Sequence, residues 1–177
     1  SCLEFRKLFP DTREVFLDGT EREINRPKKN QKEYYSGKKK KHTLKNLLTT
    51  DKSKKVLVLT KTLSGKNHDF TIFKMNKIIF SLWLKVWLDL GFLGIDKIQA
   101  NIDYQMPAKK PKGGELSDNQ KANNQEISSV RIKVEHAISG IKRYNSTVHR
   151  YRNKGIKKAD DFILLASGLW NFHLKYA

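Results

Sequence analysis

A single cysteine among 177 residues excludes an intramolecular disulfide and a structural zinc site, and makes a reducing interior the expected setting. Long apolar runs are missing as well. Lys85 and Asp89 interrupt the stretch from 78 to 95, and residues 162–172 fall short of the ~20 apolar residues that span a bilayer, so a soluble protein with no membrane partner is expected. The start holds no secretory core. The chain opens at Ser1 inside an amphipathic segment and is expected to be the tail of something longer. No internal repeat occurs, and Lys38-Lys39-Lys40-Lys41 is the one low-complexity piece. Acids are scarce: 18 Asp and Glu face 36 Lys and Arg, leaving a net charge of +18.

That excess is clustered. Residues 26–45 carry nine Lys or Arg against Glu33 alone, and residues 131–158 carry nine against Glu135 alone. A lysine-rich genome would spread the charge evenly, whereas two dense blocks point to a polyanionic partner, a nucleic acid. With 38% hydrophobic residues the chain can bury one sizeable core, and a single domain over 1–177 is expected.

Periodicity supplies the elements. Residues 14–20 form a short apolar run ending in Asp18 and Gly19, a buried strand leading into a turn. Residues 42–50 and 54–63, separated by Asp51-Lys52-Ser53, predict an antiparallel pair that completes a three-strand meander. Residues 68–83 have apolar spacings of a helix, and 85–89 repeat the first strand's pattern, again ending in Asp. After an extended piece at 104–107 and an exposed insertion at 109–125, a long helix is predicted from Ser117 or Asn124 to about Tyr144. A last one over 160–176 should bury Phe162, Leu165, Leu169 and Phe172, with acidic residues at its start. Strands followed by helices imply an α/β fold with helices packed on a mixed sheet.

Asp18 and Asp89 are the odd residues, each ending a run that belongs in the centre of a sheet, where a lone carboxylate is costly to bury. An Asp after a strand often caps a turn, which is the simpler explanation for either alone. Helical geometry puts Ser128, Arg131, Glu135 and Lys142 within about 60° of one another, a stripe flanking the apolar one. Glu135 then either forms a surface ion pair with Arg131, worth only ~0.3–0.5 kcal/mol, or serves as a third acid. Two strand-end aspartates and one helix glutamate are hard oxygen donors on separate elements, the ligand set of a two-metal phosphoryl-transfer site.

Five blocks resemble DDE transposases, in particular the bacterial insertion-sequence group related to Harbinger elements. They are Leu17-Asp18-Gly19-Thr20-Glu21; Tyr35 to Thr43 with its four lysines; Ser64-Gly65 with His68-Asp69; Leu88-Asp89-Leu90-Gly91-Phe92; and Arg131 to Ala137. The resemblance runs from about Val15 to Asn171 and implies a ribonuclease-H-like fold. It implies Asp18, Asp89 and Glu135 as catalytic and metal-binding residues, two Mg²⁺ ions with Mn²⁺ as a substitute, and cleavage and transfer of DNA strands. The family's arginine four residues before the glutamate and lysine seven after it are Arg131 and Lys142; its tyrosine three before the arginine is Ser128 here. Asp69 is read as the structural first residue of a helix, and His42 and His136 as phosphate or water contacts or polar neighbours.

DNA, both transposon ends and target, is the implied partner. Lys38, Lys39, Lys40, Lys41, Lys45, Arg131, Lys142, Arg143, Arg150 and Arg152 are expected along its backbone, with a homodimer on the DNA and a bacterial, nucleoid-associated location. Relatives carry an N-terminal helix-turn-helix segment, for which no room is expected before Asp18. Competing readings are a basic nucleic-acid-binding protein without chemistry, an inactive transposase remnant, and a stand-alone ribonuclease-H-like nuclease.

Overall fold

A computed structural model describes residues 2–153 and 155–176. In chain order it contains α1 (Cys2–Leu8), β1 (Glu14–Glu23), α2 (Gln31–Tyr34), β2 (Tyr35–Ser36), β3 (Lys41–Thr50), β4 (Val56–Leu59), β5 (Leu63–Ser64) and α3 (Asp69–Met75). There follow β6 (Lys85–Trp87), β7 (Asp103–Gln105), α4 (Asp118–Ile141), α5 (Asn145–Val148) and α6 (Ile156–Tyr176). The sheet order is β2-β3-β1-β6-β7, with β4 and β5 also paired to β3. β1 runs antiparallel to β3 and parallel to β6, which is parallel to β7. This mixed sheet with an antiparallel meander and flanking helices is the ribonuclease-H-like arrangement. No helix among the described residues is long and apolar enough to cross a membrane.

Alternating side chains build two cores, one on each face of the sheet. Val15, Leu17, Leu47, Val86 and Leu88 pack with Ile72 and Phe73 of α3. Phe16, Leu48 and Trp87 pack on the opposite face with Ile127, Val134 and Ile141 of α4 and Ile163 and Trp170 of α6. Of the two starts expected for α4, Ser117 is the one used, as its cap: its hydroxyl accepts the Gln120 N–H while the Gln120 side chain accepts the Ser117 N–H, a reciprocal pair that fixes where the helix starts.

Five expectations need correction. β1 does not turn at Asp18-Gly19 but runs on to Glu23, because Glu21 and Glu23 meet Lys45 and Lys41 across the ladder. The third strand splits into β4 and β5, since the Thr60 hydroxyl takes the Leu47 N–H that a strand carbonyl would accept. α3 stops at Met75, where the Asn76 side chain donates to the Ile72 carbonyl and Lys77 turns to φ 48°. α6 buries Ala159, Ile163, Ala166, Ser167 and Trp170, leaving Leu165 61%, Leu169 41% and Phe172 63% exposed. That face is set by Trp170, whose ring seats on Gly140 of α4, where an added Cβ would lie 2.3 Å from it, with Ile163 and Ala166 in the same core. Asp160, expected as a helix-start acid, instead accepts the Thr62 N–H at 2.6 Å.

Candidate active site

The parallel ladder between β1 and β6 ends at the pair Phe16 and Trp87. Two residues further along each strand stand Asp18 and Asp89, so both carboxylates occupy the same level, just beyond the point where the strands part. Asp18 is therefore mid-strand in β1 but at the end of its pairing with β6. Its Oδ1 accepts the Gly19 N–H at 2.7 Å, and its Oδ2 lies 3.2 Å from Arg131 Nη2. Asp89 Oδ1 accepts the Gly91 N–H at 2.8 Å, so the turn-capping role is real and coexists with its place beside Asp18. Burial pushes the Asp18 carboxyl above its usual 3.8. The Gly19 N–H and Arg131 pull it down, and the charges of Asp89 and Asp69 push it up.

Beside this pair lies a network the sequence did not announce. Lys45, only 7% exposed, puts its ammonium 3.1 Å from Glu21 and 3.3 Å from Asp69, and donates to the Asn67 carbonyl at 3.2 Å. Glu21 and Lys45 are opposite each other in the β1–β3 register. Burial raises the Glu21 carboxyl, but hydrogen bonds from Thr43 and Ser36 together with Lys45 outweigh it and bring it below the usual 4.5. Lys45, expected on a DNA backbone, is thus an internal counter-ion; a basic block in sequence does not reveal that one of its lysines faces a glutamate across a ladder. Asp69 is the first residue of α3, as expected, yet its side chain is turned toward Asp18 and Asp89.

Glu135 lies on the expected stripe of α4, one turn beyond Arg131. It is exposed and forms no hydrogen bond or ion pair among the described residues. Its stripe faces the site nonetheless: Arg131 pairs with Asp18, and Lys142 feels both Glu21 and Asp18. Desolvation and the nearby charge of Lys39 lower the Lys142 ammonium against those two acids. Of the three acids, the fold brings Asp18 and Asp89 together. Among the described residues no group of three or more His, Cys, Asp or Glu is arranged to hold a metal ion.

Lys38, Lys39 and Lys40 are exposed between β2 and β3, and Lys41 and Arg150 both pair with Glu23. Since Lys39 acts on Lys142, this cationic hairpin adjoins the acids. Arg152 is exposed. Arg143 lies apart, 5.6 Å over the Trp170 ring with Nη1 3.4 Å from His173 Nε2. His42 packs edge-on against Tyr35, and His136 is exposed.

Residues 17–171 match the family described as DDE superfamily endonuclease. The chain belongs to this family. It is also 39% identical over 160 residues to a probable transposase for insertion sequence element IS702 from Microchaete diplosiphon. The aligned part is 90% of this chain and 57% of that relative, so the chain spans little more than half the relative's length. No solved structure matches the chain. Membership of the DDE superfamily endonucleases implies dependence on a divalent metal. The donors present, the carboxylate oxygens of Asp18 and Asp89, suit a hard divalent cation, whereas the buried Asp69 Oδ1 accepts no hydrogen bond but has its charge met by the Lys45 ammonium 3.3 Å away.

Proposed function

We propose that this chain is a single catalytic domain of a transposase that cuts and joins DNA strands with Mg²⁺, for which Mn²⁺ substitutes. The observation that carries the reading is the placement of Asp18 and Asp89 at one level past the last β1–β6 pair, next to a cationic hairpin. Asp18, Asp89 and Glu135 would hold the ions, Glu135 being supported by its stripe neighbours Arg131 and Lys142, which both act on Asp18. Two bound ions supply charge for the attacking and leaving oxygens at phosphorus. The chain's own residues do the positioning. The Gly19 and Gly91 N–H groups orient the two aspartates, Arg131 holds Asp18, and Lys38 to Lys41 with Lys142, Arg150 and Arg152 take the DNA backbone without reading sequence. A homodimer on DNA at the nucleoid completes the reading.

A second reading, a basic DNA-binding protein without chemistry, is favoured by the Arg131–Asp18 pair and by the exposure of Glu135. Nicking of supercoiled plasmid separates the two. The first expects nicks with Mg²⁺, none with a chelator, and recovery when Mg²⁺ is restored; no nicking under any condition overturns it. Joining of a pre-cut transposon end to a target then distinguishes a transposase from a simple nuclease. For the DNA surface, Lys39→Ala should weaken duplex binding about equally on unrelated sequences. It should also reduce the slope of log K against log salt by about 1, measurable by fluorescence anisotropy.

A further inference from the structure

We infer that Asp69 is a positioning residue of the acid site, a wedge that sets the spacing of Asp18 and Asp89. The two glycines whose N–H groups hold those aspartates are the ones Asp69 packs against. A Cβ on Gly19 would lie 2.7 Å from Asp69 Oδ1. One on Gly91 would lie 3.4 Å from Asp69 Oδ2 and 2.8 Å from Asp89 Oδ1. One carboxylate therefore bridges both glycines, an oxygen to each, filling the space a side chain at 19 would take and lying in close contact with one at 91.

The wedge is anchored from two sides. α3, which carries it, is fixed by Ile72 and Phe73, 0% and 1% exposed. The carboxylate itself is held by Lys45, which Glu21 ties to β1. Asp69 Oδ1 is buried and accepts no hydrogen bond, so packing against the glycines and the charge of Lys45 fix its position. Moving it would release Gly19 and Gly91 and, through their N–H groups, both aspartates.

The inference rests on the metal reading above, and its test is Mn²⁺ affinity measured by calorimetric titration, with a thermal melt of each variant. The natural chain should bind Mn²⁺ saturably; failure here overturns the metal reading itself. Asp69→Ala should bind about 10- to 100-fold more weakly, the range for residues that orient metal ligands. Asp69→Asn, which keeps the wedge and loses the ion pair, should lose about tenfold. Gly19→Ala should weaken binding in the natural chain but add nothing in the Asp69→Ala background, where its methyl has room. Additive losses, or Asp69→Ala and Asp69→Asn chains that melt normally and bind as well as the natural chain, overturn the wedge. Should Asp69→Ala not fold, Asp69→Asn decides: unchanged affinity refutes the inference.

Discussion

Asp18→Asn is expected to abolish DNA cleavage and to melt at a higher temperature than the natural chain. The loss should be on the order of a thousandfold or more, because on the proposed function Asp18 holds an ion, and removing a metal ligand forfeits several kcal/mol of transition-state stabilisation, each ~1.4 kcal/mol being a factor of ten. The gain in stability follows from linkage. Burial raises the Asp18 carboxyl in the folded chain even after Arg131 and the Gly19 N–H have pulled it down, so the ionised form opposes folding at neutral pH. Stability at this site is present at low pH and is lost as pH rises through the raised folded value. A neutral amide of the same shape avoids that cost, and its advantage should fade as pH falls toward 3.8 and Asp18 itself becomes neutral. Cleavage assays and melts from about pH 3 to 8 check both halves, a window that brackets the carboxyl's range. An active variant, or one that melts lower at pH 7, contradicts the account. Strain of this kind, kept for function at a cost in stability, is common at active sites.

Lys45→Met should cost about 3–5 kcal/mol at pH 7, the penalty for leaving a buried charge without its partner. Glu21 and Lys45 have side chains 8% and 9% exposed, and Asp69 would share the loss. The pH dependence has the opposite sign to that of Asp18. Glu21 titrates below its usual 4.5 when folded, so its contribution is present above that value and is lost as pH falls through the depressed one. The gap between natural and variant chains should therefore narrow on acidification. Chemical denaturation at several pH values measures it, and a cost under about 1 kcal/mol, ordinary for an exposed pair, would show that Lys45 is not the counter-ion described.

Much of this was legible because burial and periodicity act locally. The apolar runs before Asp18 and Asp89 predict two buried strands each ending in an acid, and the parallel pairing of β1 with β6 sets the two aspartates at one level. Of the two starts that the sequence allows for α4, Ser117 and Asn124, the fold takes the first, and the stripe through Arg131 and Lys142 faces the acids. What sequence hid was long-range. Lys45 looks like one more lysine of a basic block until the β1–β3 register sets it opposite Glu21. Asp69 reads as a helix start, and only the approach of α3 to two glycines gives it a place in the site. α6 carries two apolar faces; the one whose Trp170 ring fits against Gly140 is buried, while the Leu165 and Phe172 face stays exposed, and apolar spacing alone does not choose between them. Helical spacing puts Glu135 on the stripe that faces the acids, but the residue of that stripe that reaches Asp18 is Arg131.

The most direct measurement is a crystal of the chain grown with Mn²⁺ and examined by anomalous scattering. Two peaks separated by ~3.5–4 Å, bounded by Asp18, Asp89 and Glu135, are the result expected of a two-metal nuclease site. Peaks away from Asp18 and Asp89, or none at saturating Mn²⁺, would contradict it.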